Sequence, residues 1–389
     1  MMGYQKILFV LALAFQSMFA QTNKSYPVVD TGVTEFYNND AAISAPKKGD
    51  DFYGQDAHCK ANKPSYTDNK DGTITDNVTG LMWQKEMPSK MGFEDAFTYA
   101  KSSRLGGYDD WRMPTIKELY SLILFTGRFR PDSVKPFIDT RYFVQPLGQG
   151  AAGERIMDAQ TWSATVYTGR TMRGDESIFG VNFIDGRIKG YPKYDPRTGA
   201  PHKMYCRLVR GNKEYGKNRF VDNKNKTVGD KATGLMWQKE DSKSGMDWRN
   251  ALKYCEELSL GGYNDWRLPN AKELQSIVDY KRSPQATGSA AIDPVFSVSR
   301  IDDSMGSYPY FWSSTTHLDG PNPYMSAAYV AFGEAKGKMR GTLVDAHGAG
   351  AQRSDPKNGN KGEYPQYFGP QGDLRSVFNY VRCVRSEEK

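Results

Sequence analysis

One series of residues occurs twice in this chain of 389 residues. Residues 76–86 read DNVTGLMWQKE, and 230–240 read DKATGLMWQKE, an offset of 154. Residues 105–114 (LGGYDDWRMP) return as 260–269 (LGGYNDWRLP) at an offset of 155, so one residue has been added between the blocks. Lys117-Glu118-Leu119 matches Lys272-Glu273-Leu274, and Thr161-Trp162-Ser163 matches Phe311-Trp312-Ser313. The copies close on Tyr205-Cys206-Arg207 and Arg382-Cys383-Val384. A period near 150 residues is the size of a whole domain and too long for a solenoid repeat. We therefore expect tandem homologous domains over 57–211 and 212–386, preceded by an extended lead-in over 21–56.

Each copy has the same local pattern. Residues 66–75 place a turn at Lys70-Asp71-Gly72 between two short runs, a hairpin signature. Leu81-Met82-Trp83 reads as a short buried strand. Over 93–101 the spacing puts Phe93, Ala96, Phe97 and Ala100 on one helical face, with Trp248, Ala251, Leu252 and Cys255 in the second copy. That helix is expected to end at Gly106-Gly107 or Gly261-Gly262. Thr115 or Asn270 is a suitable N-cap for a second helix, with Glu118 or Glu273 at capping-box spacing. Leu119, Leu122 and Ile123 would face the core. The remaining half of each copy is irregular and glycine-rich, so the expected class is α+β with long loops.

Residues 1–20 carry Lys6 and the apolar run 7–15, followed by Ala20-Gln21, the pattern of a cleaved secretory signal peptide. The mature protein is expected to be secreted, held at the cell surface, or periplasmic, with no membrane span after cleavage. Four cysteines in an oxidising compartment suggest two disulfides. Cys255 and Cys383 lie at matching ends of copy two. Copy one has Ala100 in place of Cys255, so Cys59 is the remaining partner for Cys206. The expected bridges are Cys59–Cys206 and Cys255–Cys383.

The series DNxTGLMWQ, LGGYxDWRLPxxKEL, WSS and a terminal RCVR resembles the Legionella collagen-like protein C-terminal domain family, in both copies and over nearly all of 60–386. The order of blocks is similar to that of C-type-lectin-like and formylglycine-generating-enzyme-like domains. The resemblance implies two tandem C-type-lectin-like domains, each with two short helices, a small twisted, mostly antiparallel sheet and long loops. It also implies adhesion, because the collagen-like relative is an adhesin for sulfated glycans. Two departures narrow this. The carboxylate-bearing calcium triplets of sugar-binding lectins are missing: Gln145-Pro146 is followed by Leu147, and Trp162 and Trp312 by Ser-Ala and Ser-Ser. The paired reactive cysteines of sulfatase-activating relatives are also missing. No cofactor and no metal site are therefore expected.

The four histidines, His58, His202, His317 and His347, form no catalytic or zinc motif. Asp68, Asp71 and Asp76 fail the EF-hand spacing and fit a hairpin turn better. The repeated Asp110-Trp111-Arg112 and Asp265-Trp266-Arg267 read as an arginine–carboxylate link beside a core tryptophan that fixes the turn into the second helix. Trp83, Trp162, Trp237 and Trp312 read as core. Function is better sought where the copies differ: 125–160, 283–310 and 335–365. These hold Arg128, Arg130, Arg141, Lys336, Lys338, Arg340 and Arg353, a set suited to acidic polymers. The formal charge of +7 permits such partners. The expectation is an exported, non-enzymatic, adhesin-like protein that binds an acidic or sulfated glycan (a polysaccharide) or a surface protein, and not nucleic acid. Its alternatives are a structural component of the envelope or an appendage, and a hydrolase with an unrecognised site.

Overall fold

The computed structural model describes residues 24–59, 61–130, 133–301, 307–359 and 363–387; the expected signal peptide lies outside them. Each repeat opens with the expected hairpin. Strands Tyr66–Asp68, Thr73–Asp76 and Leu81–Gln84 are joined at the edge by Val209–Gly211. The second repeat builds the same sheet from Phe220–Asp222, Thr227–Asp230, Leu235–Gln238 and Val384–Ser386. The closing strand of each repeat thus returns to its start.

Four helices follow the duplicated blocks: α1 (Phe93–Ser102) and α2 (Ile116–Ser121) in repeat 1, α3 (Trp248–Glu256) and α4 (Ala271–Ser276) in repeat 2. Helix α1 buries Phe93, Ala96 and Ala100, but Phe97 is 45% exposed at the edge of that stripe. It stops at Ser102, short of the glycines; Gly106 and Gly107 instead take positive φ in a separate turn. Thr115 and Asn270 cap α2 and α4 in complete capping boxes with Glu118 and Glu273. In the same Glu118 and Glu273 end two bidentate pairs: Arg112 to Glu118 at 2.5 and 2.8 Å, and Arg267 to Glu273 at 2.6 Å on both arms. The arginine–carboxylate link exists, then, with Glu118 and Glu273 as the acids. Asp110 and Asp265 bind Arg210 and Arg385 on the closing strands instead.

The repeats are not separate beads. Strands Thr161–Val166, Ser177–Asn182 and Arg187–Pro192 of repeat 1 continue through Gln352–Pro356 into Ser326–Ala331 and Tyr310–Thr316 of repeat 2. With Tyr205–Cys206 at one edge they form a single seven-stranded sheet whose order is nearly palindromic. Arg187–Pro192 meets Gln352–Pro356 antiparallel, with Ile188 opposite Gln352. On one face of this sheet α2 and α4 share one hydrophobic core across the seam, including Trp83, Leu119, Phe179, Trp237, Leu274 and Val330. Each repeat has a second core of its own around α1 (Trp111, Trp162) or α3 (Trp248, Trp266, Trp312). The repeated tryptophans are therefore interior, as the sequence indicates.

Buried charges pin the seam. Lys117 of α2 donates to the carbonyl of Ser276 at the end of α4, and Lys272 of α4 donates to the carbonyl of Ser121 at the end of α2, at 2.7 and 2.9 Å. A cation is favourable at such carbonyls. Burial nevertheless lowers Lys117 to about 8 and Lys272 to about 7. Arg207 and Arg382, beside the closing cysteines, are fully buried, and each donates to three backbone carbonyls.

Cys255 and Cys383 form a disulfide between α3 and the closing segment. The second expected bridge is absent: Cys59 and Cys206 are free thiols. Cys206 is buried in the core of repeat 1 with Ala100, whereas Cys59 sits with Trp266 and Arg267 of repeat 2. The lead-in explains this. It runs as a strap across the seam, with Tyr26 N–H bound to Ala232 O, Phe125 N–H bound to Thr31 O, and Asp56 accepting from Thr315 at 2.6 Å. It carries Cys59 away from the repeat that follows it in sequence.

Candidate functional site

The face of the shared sheet opposite α2 and α4 holds a cleft of about 570 Å³, directly on the seam. Strand alternation selects its floor. Ile188 and Val330 point into the shared core, so Arg187, Lys189, Tyr329, Arg353 and Asp355 point the other way. The register at Ile188 and Gln352 sets Arg187 opposite Arg353, a like-charge juxtaposition across two strands that needs compensation. Three aspartates provide it. Arg187 lies 2.5 Å from Asp319 and 3.5 Å from Asp185. Arg353 pairs with Asp373, which also accepts from His347 at 2.7 Å. Lys189 donates to Gln371 at 3.2 Å and lies over the Tyr191 ring.

These groups titrate far from their usual ranges. Burial, with Arg353 nearby, lowers Lys189 to about 8. Burial alone would raise Asp373, but Arg353 and His347 reverse this and hold it well below the usual carboxylate range. Burial raises Asp355 to about 7 despite hydrogen bonds from Asn379 and Ser376. Burial lowers His347 to about 4, so the imidazole is neutral at pH 7. Near neutrality Asp355 is partly protonated. The lining then sets five basic side chains (Arg155, Arg187, Lys189, Arg353 and Arg375) against at most three fully ionised carboxylates.

One wall comes from the segment around strands Tyr367–Phe368 and Asp373–Leu374, which pair with each other and, through Asp373, with Gly337 of the Lys336–Met339 strand. Phe368 is 57% exposed there, with the Arg375 guanidinium 3.9 Å from its ring centre. Arginine stacked on an exposed ring offers a flat surface with a charged edge.

Of the seven basic residues singled out from sequence, only Arg353 lines this cleft. Lys338 lies over Tyr367 on the sheet behind the wall, next to Lys336. Arg340, at positive φ in the turn of that hairpin, lines a separate hollow with Arg173 and Arg197. Arg128 and Arg130 belong to a two-stranded hairpin, Arg128–Arg130 with Ser133–Lys135. Arg141 is exposed and bound to its neighbour Asp139. They do not form one basic patch. Arg187 and Lys189 escaped sequence reasoning, although they alternate around Ile188 in a strand-like run; only pairing with repeat 2 makes that run a cleft floor.

Among the described residues no His, Cys, Asp or Glu group is arranged to hold a metal ion, and no helix is long and apolar enough to cross a membrane. The profile of the Lcl C-terminal domain matches two segments, 72–210 and 226–346, which together make up more than half of the chain. No curated protein matches.

Proposed function

Because this chain belongs to the Lcl C-terminal domain family, we propose that it is an exported, non-enzymatic, adhesin-like protein that takes a carboxylated or sulfated glycan chain in the seam cleft. On this reading the two repeats are C-type-lectin-like units joined edge to edge, and the ligand contacts both. The observation that carries the proposal is the cleft itself: clustered arginine and lysine side chains on a preorganised sheet, beside the Phe368–Arg375 surface. Charge-assisted hydrogen bonds from fixed guanidinium groups suit anionic groups spaced along a polymer. Export is supported by residues 1–20.

The test is a glycan array probed with residues 21–389 at low and moderate salt, with and without calcium. The expected signal is for acidic or sulfated glycans, is reduced by salt and is independent of calcium. Lys189→Met and Arg375→Ala are each expected to weaken it about tenfold. No binding across the array at either salt would overturn the proposal.

One observation favours a second reading. Asp355, raised to about 7, shares the cleft with Asp373, held ionised. Two carboxyls whose environments push them apart in this way form an acid–base pair in glycoside hydrolases. Release of reducing ends from a bound glycan, abolished by Asp355→Asn, would favour the hydrolase over the adhesin.

A further inference from the structure

The two repeats present equivalent faces beside α2 and α4, and the strap covers only one of them. On repeat 2 the lead-in fills the face. Thr31 O accepts at 2.9 Å from the N–H of Phe125, which repeat 1 contributes to this face, and Asp30 O accepts from Lys272 of repeat 2 at 3.0 Å. Asp56 accepts from Thr315 at 2.6 Å and also from Thr31. At the equivalent face beside α2 the counterparts are Thr165 of repeat 1 for Thr315 and Tyr280 of repeat 2 for Phe125. They line an open groove of about 860 Å³ between the repeats. Within the described residues Tyr280 N–H has no acceptor. The Thr165 hydroxyl accepts from Ile116 N–H at 2.9 Å, as Thr315 does from Ala271, but among the described residues it donates to none. Val166 is 42% exposed, while its counterpart Thr316 is 3% exposed.

From this asymmetry we infer that the repeat 1 groove is a docking site for an extended acidic peptide segment of a partner protein, seated as the strap is seated on repeat 2. The strap shows what fits: extended backbone giving a carbonyl to the free N–H, and an aspartate accepting from the threonine hydroxyl. The lining favours the same chemistry by a narrower margin: Arg112, Lys117, Lys213, Lys217 and Lys281 outnumber Glu118, Asp279 and Asp293, and Lys213 and Lys281 are exposed at its edges. The chain's own lead-in is engaged on repeat 2, so the occupant comes from another protein. This site is distinct from the seam cleft, which lies on the opposite face of the shared sheet.

The test is to pan random linear peptides against residues 21–389, then to measure enriched sequences as synthetic peptides by fluorescence anisotropy. Enriched peptides are expected to carry an aspartate whose change to asparagine weakens binding about tenfold. Val166→Arg, an exposed substitution that fills the groove mouth, is expected to abolish binding without moving the melting temperature. Thr165→Val is expected to weaken it about tenfold. The cleft variant Arg375→Ala is expected to leave peptide binding unchanged, which separates this site from the glycan proposal. The inference is overturned if no peptide is enriched, if binders tolerate Val166→Arg, or if Val166→Arg abolishes binding of an acidic glycan instead.

Discussion

Repeat 1 sets Ala100 beside Cys206 where repeat 2 bonds Cys255 to Cys383, and repeat 1 leaves open the face that repeat 2 covers with the strap. Three tryptophans, the capping boxes and the Arg–Glu pairs recur in both repeats, and Trp248 of repeat 2 stands where repeat 1 has Phe93. Residues that build the unit were kept in duplicate, and the copies diverged in what closes them. A lead-in can lie across only one of two equivalent faces. The other then becomes available surface, and its motif arginine is correspondingly less covered: the Arg112 side chain is 28% exposed against 18% for Arg267.

Removing the covalent closure is the most damaging way to erase this difference. The disulfide spans 128 residues, and Cys255→Ala with Cys383→Ala is expected to destabilise repeat 2 by about 4 kcal/mol, read as a fall in urea midpoint. The Arg–Glu pairs come next. Glu273→Gln is expected to cost about 2–4 kcal/mol and Glu118→Gln about 1–3, because the first strands a more deeply covered guanidinium. Equal losses would mean that the strap adds nothing to the pair. In the opposite direction, Ala100→Cys supplies repeat 1 with the partner that repeat 2 has. A disulfide to Cys206 and a gain of about 2–3 kcal/mol are expected, checked by thiol titration and melting.

The strap gives an effect that depends on pH. Burial raises Asp56 to about 7 from an ordinary value of about 3.9, so the folded state holds this proton more tightly than the unfolded chain. The contribution is therefore present below about pH 4 and is lost as pH rises towards about 7. Compared with Asp56→Asn, the wild-type protein is expected to lose stability over that interval in chemical denaturation at stepped pH. A flat difference would show that Asp56 is ionised throughout.

Much of the unit was legible from local rules. The turn at Lys70-Asp71-Gly72, the strand at Leu81, both capping boxes and the interior tryptophans depend on neighbours within a few residues, or on burial that recurs in both copies. Helix α1 ends earlier than its glycines suggested because Ser103 already turns the chain, and Phe97 lies just off the buried stripe. The Cys59–Cys206 expectation failed for a different reason. It assumed that a lead-in packs on the repeat it precedes, and no local pattern records that the strap crosses to the other one. The seam cleft was hidden in the same way. Arg187 and Arg353 are separated by more than a whole repeat period and meet only because two sheet edges pair, whereas the lysine and arginine clusters that stood out in sequence lie scattered over separate hairpins.

The pairing of Arg187–Pro192 with Gln352–Pro356 has a consequence for any attempt to study the repeats singly. Cut apart, each half would present a bare strand edge and an uncovered helix at its flank, a template for pairing with whatever strand it meets first. The duplicated chain is in effect a dimer whose two members are tethered, with each member serving as the other's edge protection. Half-length fragments should therefore be found as pairs or as aggregates, and a mixture of the two different halves should reassemble the whole.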